Sequence, residues 1–257
     1  MIHSVSIKST KQLEKIRYAS RVLADLLQSL TKIIQPGISV QDVDHYVEQF
    51  ILDHGGRPAF KGYNGFPNAA CCSVNDCVIH GIPSNRILKK RDIIGVDVGM
   101  DYEGGYSDTC YTYAVGDISK ENQTLMKVTE QSLYVGIEQA LDGNRVGDIG
   151  FAIQEYIKPY GYGIVREYCG HGVGNTIWEP PEIPNYGKPG RGARLRKGMV
   201  IAIEPMINQG THRVFIEDDG WSVITADHQN SAHYEHTVLI TSNEPEILTL
   251  WKTECTN

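Results

Sequence analysis

No apolar run in this sequence comes near the roughly 18 residues that would cross a bilayer, and the opening MIHSVSIKST holds no apolar segment of the kind that directs secretion. A cytoplasmic protein with no membrane partner is expected. Basic charge is also in short supply: 24 Lys and Arg stand against 31 Asp and Glu, for a net charge of −7. A dedicated nucleic-acid binder needs the opposite balance, so no DNA partner is expected. Cysteine occurs six times, as Cys71, Cys72, Cys77, Cys110, Cys169 and Cys255, but never with C-x-x-C or zinc-finger spacing. That argues against a disulfide scaffold and for reduced thiols, most of them small buried apolar residues. No Pro/Ser-rich linker divides the 257 residues, so a single domain over 1–257 is expected; a monomer is the expected state, although nothing in the sequence fixes it.

What is present is a doubled pattern. Leu13, Ile16, Val22, Leu23, Leu26, Leu27, Leu30 and Ile33 recur at three-and-four spacing and predict an amphipathic helix from Thr10 to Ile34, ended by Pro36-Gly37. Ser39 reads as the N-cap of a second helix whose inward stripe is Val40, Val43, Val47, Phe50 and Ile51. Strands follow, then a third helix from Ser119 to Leu141, a fourth from Asp148 to Tyr160, and more strands. The predicted strands are Ile93 to Val98, Thr109 to Val115, Met199 to Met206, Arg213 to Glu217, Trp221 to Thr225 and His233 to Thr241. Two similar halves, about 10–117 and 118–245, packed around a shared sheet would give this order.

Five residues of metal-ligand type lie in the strand-like runs or at their ends: Asp97, Asp108, His171, Glu204 and Glu235. Four carboxylates in apolar surroundings are hard to bury without cations, because an isolated buried carboxylate costs several kcal/mol or takes up a proton. Asp97 in IIGVDVG and Asp108 in GGYSDTC flank turn residues, and a hairpin with Tyr102-Glu103 at its tip would set the two carboxylates directly opposite each other. His171 lies in CGHGVG, where glycines allow close backbone approach. Taken alone it reads equally well as a histidine at a loop end. Glu204 in VIAIEPMIN sits in an apolar strand that Pro205 ends, and Glu235 in SAHYEHTVLIT has the same character beside His233 and His236. An arginine partner would be the ordinary reason to bury such a glutamate. Together the set suits two divalent ions bridged by carboxylates and a water or hydroxide, the chemistry of a hydrolase.

These motifs, with HGIP at His80, resemble those of type I methionine aminopeptidases from the first helix to near Thr241. The resemblance implies an α+β pita-bread fold, with two pseudo-symmetric halves around a curved, mainly antiparallel sheet and helices outside. It implies removal of the initiator methionine from nascent polypeptides, with a small second residue preferred. Two divalent ions, Mn, Fe or Co, would be held by Asp97, Asp108, His171, Glu204 and Glu235. Glu204 would double as proton shuttle, and His80 would hydrogen-bond the substrate or tetrahedral intermediate. The methionine pocket of the family maps onto Phe60, Tyr63, Phe66, Cys71 and Trp221. The chain departs from the family at Trp178, in GNTIWEPPEIP, where a second active-site histidine normally stands, and at Ile177, where an aromatic usually precedes it. An indole N–H at Trp178 could donate in place of the lost imidazole, or the ring could narrow the substrate pocket.

Two other readings share these features. An Xaa-Pro peptidase would have the same fold and ligands but usually an additional N-terminal domain, against which the early first helix argues. A non-catalytic peptide- or ribosome-binding module is the other, although such members typically lose ligands. Transient contact with ribosomal RNA could use Lys188, Arg191, Arg194, Arg196 and Lys197, a run that a solvated loop explains as well.

Overall fold

The computed structural model describes residues 5–251; Cys255 lies outside the described residues. The predicted first helix is α1, Thr10–Ile33, and its inward stripe of Ile16, Ala19, Leu23, Leu26, Leu27 and Leu30 is buried. Truncating one such leucine to alanine costs about 2–5 kcal/mol. The second helix is α2, Val40–Asp53, and it starts in a capping box: Ser39 Oγ accepts from the Asp42 N–H at 3.0 Å while Asp42 Oδ2 accepts from the Ser39 N–H at 3.4 Å.

The third helix, α3, Lys120–Ile137, stops four residues before Leu141. Gln139 and Ala140 donate to the carbonyls three residues back instead of four, which tightens and ends it. The fourth, α4, Val146–Ile157, starts two residues before Asp148. Asp148 is the inner partner of the cap, accepting from the Arg145 N–H at 2.8 Å, and Lys158–Tyr160 continues as a single 3-10 turn.

The strands pair antiparallel throughout the named ladders. One sheet orders Arg57–Pro58, Ile93–Tyr102 and Ala70–Val74, with Gly105–Ala114 also paired to Ile93–Tyr102. A second orders Glu246–Ile247, His236–Leu239, Val200–Ile203, Gly170–Gly172 and Glu179–Ile183. Two shorter three-stranded ladders complete the set. A bridge between Cys110 and Glu235 ties the first sheet to the later strands. One hydrophobic core lies between α1, α2 and the first sheet; another lies between α3, α4 and the later strands, and Tyr111 packs against both.

The hairpin register corrects the sequence expectation. Its two-residue tip is Glu103-Gly104, not Tyr102-Glu103, so Asp97 faces Cys110 and Asp108 faces Gly99. Both tip residues have positive φ, 49° and 82°, as a type I′ turn requires, and glycine takes the second position at no steric cost. Asp101 Oδ1 accepts from the Gly104 N–H at 2.8 Å and fixes the turn. Asp97 and Asp108 are therefore diagonal neighbours on one face of the hairpin.

Two long predicted strands are each broken at the glutamate they carry. Met199 to Met206 splits into Val200–Ile203 and Met206–Asn208, because Pro205 has no N–H for the ladder. His233 to Thr241 splits into Ser231–His233 and His236–Leu239, with Glu235 bonded across to Cys110.

Candidate active site

All five suspected ligands line one cavity of about 470 Å3, as do His80, Phe60, Tyr63, Phe66, Cys71, Trp178 and Trp221. The floor is polar. Donor atoms of Asp108, His171 and Glu235 lie within 4.8 Å of one another. Glu204 adjoins them, with Oε1 3.5 Å from His171 Nε2, and His171 Nε2 is 3.6 Å from Asp108 Oδ2. Asp97 completes the floor beside Asp108, its diagonal neighbour on the hairpin.

The backbone explains how these side chains arrive. His171 sits on Gly170–Gly172, and a Cβ at either glycine would lie 2.3–2.4 Å from a carbonyl oxygen of a neighbouring strand. Only glycine allows that approach. Threonine hydroxyls join the strands on which the other ligands sit. Thr109 Oγ1 donates to the Glu235 carbonyl at 2.7 Å, and Thr237 Oγ1 donates to the Asp108 carbonyl at 2.6 Å.

The electrostatics of the floor call for positive charge. Burial lifts the Asp97 carboxyl to about 7, against a lowering pull from His233, and burial lifts Glu204 to about 7, offset by His171. Burial and then the neighbouring carboxylates push Asp108 and Glu235 well above the usual range. Among the described residues, Asp97 Oδ1, Asp108 Oδ1 and Glu235 Oε1 are buried without a hydrogen-bond partner. The His171 ring is oriented towards them: its Nδ1 donates to the Gly172 carbonyl at 2.9 Å, which turns Nε2 towards Asp108 and Glu204. Unpartnered buried carboxylate oxygens converging beside an imidazole nitrogen fit a divalent cation bound by oxygen and imidazole. Among the described residues no arginine pairs with these glutamates, so the ordinary structural reason for burying them fails.

The walls are apolar and the rim is exposed. Phe66 meets Trp221 edge-on at 5.2 Å, and Cys71 is buried beside them with its thiol pushed well up by burial and by Asp97. His80 holds a left-handed backbone, φ 57°, and its ring stands edge-on to Tyr168 at 5.6 Å. Burial, then the neighbouring His233, lowers its pKa to about 4, so it is neutral at neutral pH. Tyr63 and Trp178 form the rim at 44% and 46% exposure. The Trp178 indole N–H has no hydrogen-bond partner among the described residues, and the Ile177 side chain is buried against the cavity.

The Trp178 loop is held from the N-terminal segment. Lys8 Nζ lies 2.5 Å from Glu179 Oε1, which also accepts from the Asn175 N–H at 2.9 Å, and Gln12 Nε2 donates to the Gly174 carbonyl at 2.9 Å. Several lining residues escaped the sequence reading: Asn64, Ile79, Tyr168, Cys169 and, as a wall residue, Ile177. Adjacency of Tyr168-Cys169 to GHG was the one signal available. His233, whose Nε2 lies 3.5 Å from Glu204 Oε2, carries no signal in the sequence beyond its place two residues before Glu235.

Comparison with known proteins agrees with this geometry. Residues 14–242 match metallopeptidase family M24. A methionine aminopeptidase of Clostridium acetobutylicum is 47% identical over 247 residues, covering 96% of this chain and 99% of its own length. Methionine aminopeptidase 1 of Bacillus subtilis is 46% identical, with 94% and 98% covered. The crystal structure of a methionine aminopeptidase from Thermotoga maritima superposes with a TM-score of 0.95 at 42% identity, covering 96% of this chain and 100% of that one. A prolidase from Pyrococcus furiosus is more distant, at a TM-score of 0.78 and 26% identity, and this chain covers 66% of it. Family, fold and the acidic floor converge, and the chain belongs to the M24 metallopeptidases of pita-bread fold, within the methionine aminopeptidase group.

Proposed function

We propose that this protein hydrolyses the peptide bond after an N-terminal methionine, acting on new polypeptides with a small second residue. The observation that carries the reading is the buried floor of four carboxylates and one imidazole beneath an aromatic, thiol-lined cavity. Two divalent ions would be held by Asp97, Asp108, His171, Glu204 and Glu235. When bound, they would supply Lewis acidity and lower the pKa of an attacking water.

The chain's own residues do the rest. Glu204, whose carboxyl is the one ligand bracketed by imidazoles on both oxygens, takes the proton of the attacking water and returns it to the leaving amine. His80 is neutral and donates a hydrogen bond to the oxygen on which negative charge builds. Its left-handed backbone is a strained position of the sort kept where a side chain must be aimed. Phe60, Phe66 and Trp221 surround the methionine side chain, and each sulfur–aromatic contact contributes about 0.3–1.5 kcal/mol. Tyr63 and Trp178 narrow the mouth, which favours a small second residue.

The test is cleavage of Met-Ala-Ser after metal stripping and readdition of Mn, Fe, Co or Zn, with bound metal counted per chain. Activity restored by metal at two ions per chain is the expected result. No cleavage with any metal would favour a binding module, and cleavage of Xaa-Pro peptides alone would assign a proline-directed enzyme.

A further inference from the structure

Two imidazoles bracket the Glu204 carboxylate. Oε1 lies 3.5 Å from Nε2 of His171, and Oε2 lies 3.5 Å from Nε2 of His233. His171 already belongs to the proposed metal set, whereas His233 has no part in it. The His233 residue is 3% exposed, and its Nε2 has no hydrogen-bond partner among the described residues. A fully buried ring nitrogen without a partner is uncommon and costly.

The ring's place is fixed from its backbone. Thr112 Oγ1 donates to the His233 carbonyl at 2.7 Å and accepts from its N–H at 3.0 Å. On its other side His233 pairs with Met206, two residues beyond Glu204. The side chain is thus delivered to Glu204 by paired strands, not by a loop.

From this geometry we infer that His233 is a positioning residue for Glu204: its Nε2–H donates to Oε2 and turns Oε1 towards His171 and Asp108. The 3.5 Å separation exceeds a good hydrogen bond by a few tenths of an ångström, a gap that a small rotation of the carboxylate closes. A free carboxylate could present either oxygen to the floor. One fixed donor removes that ambiguity, in the way hydrogen bonds from surrounding residues orient metal-binding side chains elsewhere. The role needs an N–H and not a titrating ring, so a glutamine can replace the histidine. The inference rests on the reading of Glu204 as ligand and proton carrier.

His233→Gln and His233→Leu test it, through Mn(II) titration calorimetry on metal-stripped protein, kcat and KM for Met-Ala-Ser, and thermal midpoints. His233→Gln is expected within about threefold of the parent in Mn(II) affinity and kcat. His233→Leu is expected to lose about 10- to 100-fold in affinity or kcat with KM nearly constant. Equal losses in both variants, a Leu variant that matches the parent, or a loss confined to KM would each overturn the inference. If His233→Leu melts below the assay temperature, His233→Gln decides alone: parental Mn(II) affinity supports the role and weakened affinity overturns it. A parent that fails to cleave Met-Ala-Ser overturns the proposed function instead, while the Mn(II) comparison still judges His233.

Discussion

The floor and the rim of the cavity are built by opposite means. On the floor, Asp108, His171, Glu204 and Glu235 are between 2% and 9% exposed and lie on or beside paired strands. At the rim, Tyr63 and Trp178 are 44% and 46% exposed and lie on a 3-10 turn and a loop. A buried charge set must be complete or it is a liability, since each unpaired member is costly. An exposed aromatic can be exchanged at small cost to the fold. Trp178, where the resemblance implies a histidine, therefore lies on the rim, where change is cheap, and the buried carboxyl groups lie on the floor.

That contrast can be broken most sharply at the floor. Asp108→Asn is expected to lower kcat/KM for Met-Ala-Ser by about a thousandfold or more. The same change should raise the thermal midpoint of the metal-stripped protein by a few degrees, because it removes a carboxyl that must take up a proton to be buried without a cation. A midpoint that falls would show that the floor is satisfied without metal. At the rim, Trp178→His is expected to raise turnover on Met-Ala peptides by roughly tenfold, by restoring a hydrogen-bond donor. Unchanged or lower turnover would show that the indole already serves.

The third contrast is in pH. Asp97 and Glu204 titrate near 7 in the folded, metal-free protein, above their usual values of 3.8 and 4.5. As pH rises from about 4, the unfolded chain releases these protons first, so stability falls until the folded groups ionise near 7. The metal-stripped protein should therefore melt several degrees lower at about pH 8 than at about pH 5. Added Mn(II) should recover more of the midpoint at the higher pH, and a pH-independent melt would refute the raised carboxylates.

The same contrast explains what could be read from sequence. Periodicity sufficed for α1 and α2, and Ser39 announced its own cap. The floor carboxyl groups were legible because acidic residues are out of place in runs such as VIAIEPM. The hairpin register was not, since the choice of tip depended on which residue tolerates positive φ, and Gly104 was the overlooked clue. His233 was missed because an orphaned ring nitrogen is a property of packing and leaves no trace in spacing. Tyr168 reaches His80 across 88 positions, a contact that no local pattern encodes.

The threonine stitches have a mechanical consequence. Asp97 and Asp108 come from one strand pair, while His171, Glu204 and Glu235 come from later strands, and Thr109, Thr112 and Thr237 lace the two sets together through their hydroxyls. A hinge that parted these strands would pull the ligands away from one another and undo the site it was meant to open. Traffic of peptide and product must therefore run past the rim loops, over a foundation that stays still. Amide exchange should report this as a slow block around 108–112 and 233–237 bordered by fast exchange around 174–178.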